Sequence, residues 1–360
     1  MKKIIFTGGG SAGHVSVNVA LIPEFQKNRF ETKYIGSKSG IEKEMISKID
    51  NTNYYSISSG KLRRYFDWQN FTDPFRVIKG IVDSLLILKK EKPDLVFSKG
   101  GFVSVPVCIA ARLLSIPTVL HESDLTPGLA NKINIKFSNH IFTTFEDTLR
   151  YLPAGKASLI GAVVRNEIYS GNADKAYELT KFSKDKQVIL VMGGSLGARS
   201  INEFIWNNID ALTSKFQIVH ITGKGQLNKE INNNSYVQYE FINEELFDIF
   251  KITDFTISRA GSNSIYEFLA LNIPSILIPL GTNQSRGDQL ENAKYFKSKG
   301  FAEIILEENI SELSVDYLEE FTKNLPKYIN TMKLYKEEKK VINSSEDFYN
   351  KIIKVKEVNN

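Results

Sequence analysis

Two glycine-rich turns, each placed directly after a short apolar run, constrain the fold of this chain more than any other feature. The first turn is Thr7-Gly-Gly-Gly-Ser-Ala-Gly13 and follows Lys3–Phe6; the second is Met192-Gly-Gly-Ser-Leu-Gly197 and follows Gln187–Val191. A strand that runs into a glycine turn and then a helix is typical of the opening of a doubly wound α/β domain. Because the pattern occurs in both halves, we expect two Rossmann-like domains, with ligands bound in a cleft beyond the carboxyl ends of the strands.

The remainder of each half alternates short β-rich runs with amphipathic helical patterns, which indicates parallel βαβ units. In the first half we predict further strands at Thr32–Ile35, Leu95–Ser98, Thr118–His121, His140–Thr143 and Ala157–Ile160. In the second half we predict them at Gln217–Ile221, Val237–Glu240, Phe255–Ser258, Ser275–Ile278 and Ala302–Ile305. We expect one domain at 1–163, a second at 164–335, and a Lys/Glu-rich helix at 336–360 that returns to the first domain.

Composition excludes several classes of protein. The net charge of +5 is mild for 360 residues, which argues against a dedicated nucleic-acid binder. Cys108 is the only cysteine, so an intramolecular disulfide and a cysteine-based metal site are both excluded. The apolar run after Met1 ends at Gly8, and no apolar stretch reaches the length of about 18–20 residues that a membrane span requires. We therefore expect a cytoplasmic protein, or one that lies on a membrane without spanning it.

The segment from Ser258 to Glu267 predicts a site for a nucleotide sugar. A strand ends at Ser258, a turn follows at Gly261, and small polar residues then open a helix. The first amides of a helix lack internal partners and favour an anion such as phosphate. Glu267 lies about a turn and a half further along, where its carboxylate can accept hydrogen bonds from vicinal sugar hydroxyls. The alternative is an ordinary strand–turn–helix in which Glu267 is a solvated surface acid.

The first glycine turn formally matches the dinucleotide fingerprint Gly8-x-Gly10-x-x-Gly13. A dehydrogenase also needs an acidic residue at the end of the second strand to bind the adenosine ribose. This chain has no acid there until Glu42, which argues against NAD(P). His14 follows the turn directly, and its ordinary pKa near 6.5 makes it our candidate for the general base. His121-Glu122 is the runner-up pair, although a histidine at a strand end can simply be hydrogen-bonded in the core.

Five motifs occur in one order over nearly the whole chain, and together they resemble the MurG family of peptidoglycan glycosyltransferases. They are Gly8–His14, Lys99–Pro106, His121–Lys132, Gly193–Arg199 and Ser258–Asn292. The resemblance implies an α/β fold of the GT-B class, with a first domain that takes the acceptor and faces the membrane and a second that binds UDP-N-acetylglucosamine. It also implies lipid I as acceptor, lipid II as product, and an inverting transfer that forms a β1→4 linkage. No Asp-x-Asp motif follows a predicted strand, so we expect no metal or other cofactor.

The resemblance also assigns individual residues to the donor. Ser195 would bind the phosphates, the backbone at Ile242 would meet the uracil, and Glu267 would take the ribose hydroxyls. Gln289 would reach the hydroxyls of the N-acetylglucosamine, while Asp124 and Asp288 stand where the family commonly has Asn and Gln. The complete set implied for UDP-N-acetylglucosamine is Ser11, Gly13, Asp124, Arg165, Ser195, Ile242, Gly261, Glu267, Asp288 and Gln289.

Three alternatives stay open at this point. A glycolipid glycosyltransferase of the same fold would share the donor half and differ in Lys99–Pro106 and His121–Lys132, which resemble MurG specifically. A UDP-N-acetylglucosamine 2-epimerase would release free sugar without any lipid acceptor. A non-catalytic nucleotide-sugar binding protein would bind UDP without turnover.

A basic, aromatic segment in the first half predicts peripheral binding to an anionic membrane at its cytoplasmic face. One helix face collects the apolar residues Phe71, Phe75, Ile78, Val82, Leu85 and Leu86. The accompanying basic and aromatic residues are Lys61, Arg63, Arg64, Tyr65, Phe66, Trp68, Arg76, Lys79, Lys89 and Lys90. Such segments can lie among anionic headgroups. Because a helix stripe normally packs on its own sheet, we expect Val82 and Leu86 to pack inward and Phe71, Phe75 and Ile78 to be exposed.

Overall fold

The structure, a computed structural model, describes residues 1–60, 69–194, 197–281 and 287–358. The chain divides into two compact units, which are Met1–Val163 with Asn343–Asn360 (unit 1) and Val164–Ile342 (unit 2). Each unit is built around its own parallel sheet. The two Rossmann-like domains expected from the two glycine turns are confirmed.

The described part of unit 1 contains a sheet of seven parallel strands in the order β3-β2-β1-β4-β5-β6-β7. Apolar residues fill its central strands because helices cover both faces, as a doubly wound sheet requires. The strands are β1 Lys3–Thr7, β2 Glu31–Ser37, β3 Thr52–Ile57, β4 Leu95–Ser98, β5 Thr118–Glu122, β6 His140–Thr143 and β7 Ala157–Leu159.

Strand β3 is absent from the strands predicted by sequence. It pairs with β2 at the edge of the sheet, and most of its residues are only partly buried. Its sequence, Thr-Asn-Tyr-Tyr-Ser-Ile, therefore lacks the continuous apolar run that marks the buried central strands. Every predicted strand is present, with bounds that differ from the prediction by at most two residues.

Helices cover the sheet of unit 1, and the carboxyl-terminal helix is one of them. Phe348 and Ile352 of that helix are buried in the same core as Phe6 and Phe97 of the central strands. The helices are α1 Ser16–Lys27, α2 Ile41–Ile46, α3 Gln69–Glu91, α4 Ser104–Leu113, α5 Leu129–Asn134 and α14 Ser345–Val358.

The prediction of one helix over 336–360 is wrong in its bounds. A preceding helix continues to Lys339, and Lys340 then adopts a left-handed conformation with φ of 49°, which ends the helix. The returning helix α14 begins only at Ser345. Two-residue strands, β8 at Ala162–Val163 and β15 at Ile342–Asn343, lie where the chain passes from one unit to the other.

Unit 2 repeats the architecture, and its described residues form six parallel strands in the order β11-β10-β9-β12-β13-β14. The strands are β9 Val188–Met192, β10 Gln217–Ile221, β11 Tyr236–Tyr239, β12 Phe255–Ser258, β13 Ser275–Leu277 and β14 Ala302–Ile304. The helices are α6 Ala173–Thr180, α7 Arg199–Asn207, α8 Ile209–Lys215, α9 Glu245–Ile252, α10 Ser262–Leu271, α11 Asp288–Ser298, α12 Val315–Lys323 and α13 Leu325–Lys339.

Helix α3 packs on unit 1 through Leu88 and through small residues, and leaves four large apolar residues exposed to solvent. Gly80 and Ser84 are buried, and a Cβ on Gly80 would lie 2.1 Å from the carbonyl oxygen of Ser58. Phe75, Ile78, Val82 and Leu86 are 73%, 59%, 50% and 65% exposed. The expectation that Val82 and Leu86 pack inward is therefore wrong, because the close approach of the helix uses its glycine–serine face instead. The side chain of Phe71 and residues 61–68 lie outside the described part of the chain.

Candidate functional site

The first glycine turn leads from β1 to His14 at the carboxyl edge of the unit 1 sheet. His14 ends a short 3₁₀ turn, Ala12–His14, and α1 begins two residues later. Its amide donates to the carbonyl of Ser11 at 3.1 Å, and its Nδ1 lies 3.2 Å from Ser11 Oγ. When Nδ1–H donates to that hydroxyl, Nε2 carries the lone pair that a general base needs. Ser11 and Gly13, both implied as donor contacts, belong to this same turn.

A buried polar network supports this turn from the side of the sheet. Asn18 Nδ2 donates to the carbonyl of Thr7 and to the hydroxyl of Tyr34, both at 3.1 Å. Tyr34 in turn donates to the carbonyl of Gly8 at 2.8 Å. The backbone carbonyls on either side of the Thr7–Gly8 junction are therefore held by fully buried side chains.

The side chains of the runner-up pair, His121 and Glu122, are buried in unit 1. His121 is almost fully buried, and burial and the nearby Lys99 hold its pKa well below the usual range, so the ring is neutral. Glu122 accepts hydrogen bonds from the amides of Asp124 and Gly128, each at 3.0 Å, and from Asn131 Nδ2 at 2.9 Å. We therefore assign Glu122 to the support of the loop after β5, whereas the His121 ring pairs with Thr144 Oγ1 at 3.2 Å.

The loop after β5 also carries Asp124, and the buried side chain of Lys99 lies near it. Lys99, at the end of β4, is buried, and burial lowers its pKa to about 8 although Glu122 and Asp124 act in the opposite direction. Burial and the negative charge of Asp124 raise the pKa of Glu122. The motifs Lys99–Pro106 and His121–Lys132 thus meet in one charged cluster at the carboxyl edge of the sheet.

In unit 2 the turn between β12 and α10 brings together the residues predicted for phosphate and ribose. Gly261 is the N-cap of α10, and a Cβ built on it would meet no atom within 4 Å. Glu267 lies on the same helix, and burial raises the pKa of its carboxyl while the positive charge of Arg165 opposes that rise. Arg165 is exposed, with its guanidinium carbon 5.1 Å from the ring centre of Phe247. An exposed cation, a carboxylate and a helix start thus share one region of unit 2.

The start of α11 lies beside the same edge of the sheet. Gln289 Oε1 accepts a hydrogen bond from the amide of Leu280 at 3.1 Å, and Asn292 Nδ2 donates to the carbonyl of Ala260 at 3.3 Å. These bonds connect α11 to the turns that follow β12 and β13. Because the oxygen of Gln289 is held by Leu280, a contact of this residue to a sugar would use its Nε2 donors. Asp288 is the first residue of the helix, after Gly287 at φ of 80°.

The loop after β11 carries the residues implied for contact with the uracil. Ile242 is buried, whereas the neighbouring Phe241 is 63% exposed. The backbone here is thus anchored by one side chain and presents the other to solvent. Ser195, implied for the phosphates, lies outside the described residues.

Sequence reasoning missed Arg259, which connects the turns after β12 and β13 to Ser200 and Glu307. Its guanidinium donates to the carbonyls of Ile278 and Pro279 at 3.1 and 3.3 Å and to Glu307 Oε1 at 2.6 Å. A further bond of 3.2 Å reaches Ser200 Oγ at the start of α7. An arginine in a Ser-Arg-Ala-Gly turn resembles a phosphate ligand in sequence. In the structure, both terminal nitrogens of Arg259 already donate to oxygens of the protein, so its role is structural. No sequence signal indicates Glu307, which is distant along the chain.

No group of three or more His, Cys, Asp or Glu residues that could hold a metal ion occurs in the part of the chain that the structure describes. Over the same residues, no helix is both long enough and apolar enough to cross a membrane.

Comparison with known proteins agrees with this arrangement. Residues 4–143 match the glycosyltransferase family 28 N-terminal domain, and residues 188–347 match the family's C-terminal domain. The UDP-N-acetylglucosamine–N-acetylmuramyl-(pentapeptide) pyrophosphoryl-undecaprenol N-acetylglucosamine transferase of Staphylococcus saprophyticus is 55% identical and aligns over 98% of each chain. The protein of the same name from Staphylococcus aureus strain RF122 is also 55% identical, over 94% of this chain and 95% of its own.

Solved structures show the same fold. The crystal structure of Acinetobacter baumannii MurG superposes with a TM-score of 0.75 at 23% identity, over 98% of this chain and all of that one. A co-structure of S. aureus MnaA with UDP gives a TM-score of 0.63 at 14% identity, over 92% of this chain and 90% of that one. With both domains matched in order and a relative more than half identical over nearly its full length, the chain belongs to glycosyltransferase family 28, in the group that includes these N-acetylglucosamine transferases.

Proposed function

We propose that this enzyme transfers N-acetylglucosamine from UDP-N-acetylglucosamine to the C4 hydroxyl of the N-acetylmuramoyl group of lipid I, which yields lipid II for peptidoglycan synthesis. The names of its full-length relatives support this donor and this acceptor. Among its own residues, the observation that carries the proposal is Glu267, a partly buried carboxylate with Arg165 as its nearby cation, on the helix that Gly261 caps.

The residues of unit 2 match the chemistry of a nucleotide-sugar donor. The start of α10 and the second glycine turn offer backbone amides to the diphosphate, where charge develops as UDP departs. Arg165 adds a guanidinium that can donate hydrogen bonds to the diphosphate. The Glu267 carboxylate accepts hydrogen bonds from the ribose diol, and Gln289 donates to the sugar. Asp124 and Asp288 keep hydrogen-bonding capacity where the family commonly has amides.

Unit 1 supplies the base for the acceptor. As the C4 oxygen of the acceptor bonds to the anomeric carbon, the bond from that carbon to the diphosphate oxygen breaks, and UDP leaves with the electron pair. His14 Nε2 takes the proton of the C4 hydroxyl, while Ser11 fixes the ring through Nδ1. One displacement inverts the anomeric centre and gives the β1→4 linkage.

Incubation with radiolabelled UDP-N-acetylglucosamine and a lipid I analogue tests the function. We expect the label to enter the lipid fraction in a time- and enzyme-dependent way. Omission of the lipid I analogue is the control, and it should leave the label in the nucleotide sugar. Label that appears as free sugar without acceptor would indicate an epimerase. Label transferred equally well to a diacylglycerol acceptor would indicate a glycolipid glycosyltransferase. UDP binding without any turnover would leave only a binding protein.

The exposed face of α3 supports peripheral binding to the cytoplasmic face of the cell membrane, where a lipid-linked acceptor must be reached. Phe75, Ile78, Val82 and Leu86 form this face, which we call the α3 patch. The helix already makes its close packing through Gly80 and Ser84, so burying the patch in lipid requires no rearrangement of unit 1. Arg76, Lys79, Lys89 and Lys90 are exposed on the same helix. Each cation near an anionic surface contributes about 1 kcal/mol.

Co-sedimentation with vesicles rich in phosphatidylglycerol tests the α3 patch. We expect Phe75→Glu to reduce the bound fraction several-fold, because a charge replaces an inserted aromatic ring, and added salt to weaken binding further. Leu334→Glu is the matched control, since Leu334 is 57% exposed on α13 of unit 2. Equal sedimentation of wild type and Phe75→Glu at low and high salt alike would exclude the patch as the docking surface.

A further inference from the structure

Glu42 is a buried carboxylate that lies against the first glycine turn. It is fully buried on the short helix α2. One of its oxygens accepts hydrogen bonds from the amide of Ser37 at 2.9 Å and from Ser37 Oγ at 2.5 Å. The other faces the amide of Gly10 at 3.3 Å. The carboxylate thus joins the end of β2 to the glycine turn after β1.

Glycines surround this carboxylate because no side chain would fit beside it. A Cβ on Gly9 would lie 2.5 Å from the carboxyl carbon of Glu42, and one on Gly40 would lie 2.2 Å from its Oε2. A Cβ on Gly36 would lie 3.0 Å from its Cγ. Part of the glycine content of this region therefore makes room for an internal acid, and not only for a ligand.

The surroundings of Glu42 are neutral. Throughout the described residues no Lys, Arg or His forms an ion pair with it. Its polar neighbours include Tyr54, whose hydroxyl donates to the carbonyl of Ser37 at 2.6 Å. Burial, assisted by the charge of Glu42, raises the pKa of Tyr54, so the phenol stays protonated. A buried anion without a cation is costly even when it is hydrogen-bonded, and such a cost is typical of functional sites.

In dinucleotide-binding domains the amides of the corresponding turn bind a pyrophosphate. Here the carboxylate of Glu42 supplies the negative charge from inside the protein. We propose that Glu42 is a positioning residue for the transfer reaction: it acts as an internal anion that fixes the first glycine turn and thereby the backbone that carries His14. The Gly10 amide already faces this carboxylate, so the turn that leads to His14 is held in place from inside the protein.

The path from Glu42 to His14 is short and fixed at each step. Gly10 adopts φ of 93°, a conformation that an L side chain rarely takes, and its amide faces Glu42. Ser11 follows, and it bonds to His14 through both its carbonyl and its hydroxyl. A Cβ on Gly8 would lie 2.4 Å from the carbonyl oxygen of His14, so the two ends of the turn are in direct contact. A shift at Gly10 therefore moves the imidazole.

Steady-state kinetics with two variants test this role, which rests on the proposed function through His14. Glu42→Gln replaces one carboxylate oxygen by an NH₂ group, which then faces one of the hydrogen-bond donors of Glu42. Gly9→Ala adds a methyl group that displaces the Glu42 carboxylate from the turn. We expect each to lower kcat by about 10- to 100-fold, the usual result of a displacement near 1 Å, with the Kd for UDP unchanged. Glu44→Gln is the matched control, because Glu44 is exposed on the same helix and pairs with the exposed Lys48. It should keep wild-type kcat.

A double variant separates positioning from general destabilisation. In Gly9→Ala/Glu42→Ala the new methyl group occupies space that the lost carboxylate leaves, so kcat should fall no further than in Glu42→Ala alone. Wild-type kcat in Glu42→Gln would overturn the proposal, and so would a parallel loss of UDP binding in a variant that melts above the assay temperature. If the wild type itself fails to label lipid, the proposed function fails instead, and the two failures are thereby distinguished.

Discussion

The two glycine turns look alike in sequence, but the groups that pack against them differ in charge. The turn in unit 1 lies against the buried carboxylate of Glu42. The turn in unit 2 lies against neutral groups, since a Cβ on Gly197 would lie 2.1 Å from the carbonyl oxygen of Thr222 and 2.9 Å from Gln226 Nε2. The carboxylate beside the Gly10 amide disfavours a second anion there, whereas these described neighbours of Gly197 are uncharged groups. On the proposed function, we therefore expect the first turn to position the base and the second to meet the leaving diphosphate.

The support of the second turn is a chain of neutral hydrogen bonds. Asn202 Nδ2 donates to the carbonyl of Thr222 at 2.9 Å and to Gln226 Oε1 at 3.0 Å. Asn202 Oδ1 lies 3.0 Å from His220 Nε2, and burial lowers the pKa of His220 to about 3. The imidazole is therefore uncharged at neutral pH, so the described side chains of this network are neutral.

The comparison predicts its largest effect at His14. We expect His14→Ala to lower kcat by about 10²–10⁴-fold, the usual contribution of a general base, with the Kd for UDP unchanged. Rapid-mix kinetics and calorimetry measure the two quantities. His140→Gln is the control, since His140 is partly buried and its Nε2 pairs with Ser158 Oγ at 2.8 Å. Wild-type kcat for His14→Ala across about pH 6–9 would show that His14 is not the base, and would contradict the difference drawn between the two turns.

The opposite pattern is expected in unit 2. Glu267→Ala should raise the KM for UDP-N-acetylglucosamine by about 10- to 100-fold, because hydrogen bonds to a charged acceptor are worth about 1.5–3 kcal/mol each. Calorimetry with UDP alone should show a similar loss of affinity. Glu291→Ala on α11 is the control, because Glu291 pairs with Lys294 on the surface. Unchanged UDP affinity in Glu267→Ala would indicate that Glu267 does not contact UDP and is an ordinary solvated acid.

The raised pKa of Glu267 gives this contact a pH dependence of definite sign. Burial favours the protonated form in the free enzyme, and the ribose diol favours the ionised form, so UDP binding releases a proton. Affinity for UDP should therefore fall as the pH is lowered from neutral through the raised pKa of Glu267. Calorimetry in buffers from about pH 5 to about pH 8 measures the slope. Glu267→Gln should flatten it, and an equally steep slope in that variant would assign the titration to another group.

A smaller effect is expected at Asn202. Asn202→Ala removes two hydrogen bonds behind the second turn and leaves His220 without its acceptor, so it should lower the free energy of unfolding by about 1–3 kcal/mol. Urea denaturation measures this loss, and UDP affinity should weaken several-fold while kcat at saturating donor changes little. Asn207→Ala, at an exposed position on the same helix, is the control. A loss of kcat in Asn202→Ala with UDP affinity intact would contradict the division of labour between the two turns.

The sequence by itself determined the duplication of the fold, because strand, glycine turn and helix are local patterns that repeat in both halves. It also placed Gly261, Glu267 and Arg165 in one unit, and Ser11, Gly13, His14 and Asp124 in the other. The edge strand β3 was missed because partial burial leaves no apolar period to detect.

Only the tertiary structure decided which residues support the site. Glu42, Arg259 and Glu307 act through contacts between residues far apart in the chain, and no local pattern encodes such contacts. The inward face of α3 was decided in the same way: Gly80 and Ser84 pack because a backbone carbonyl lies 2.1 Å from the place of a Cβ on Gly80. Periodicity shows that a helix has an apolar face, but the shape of the neighbouring surface determines which face is buried.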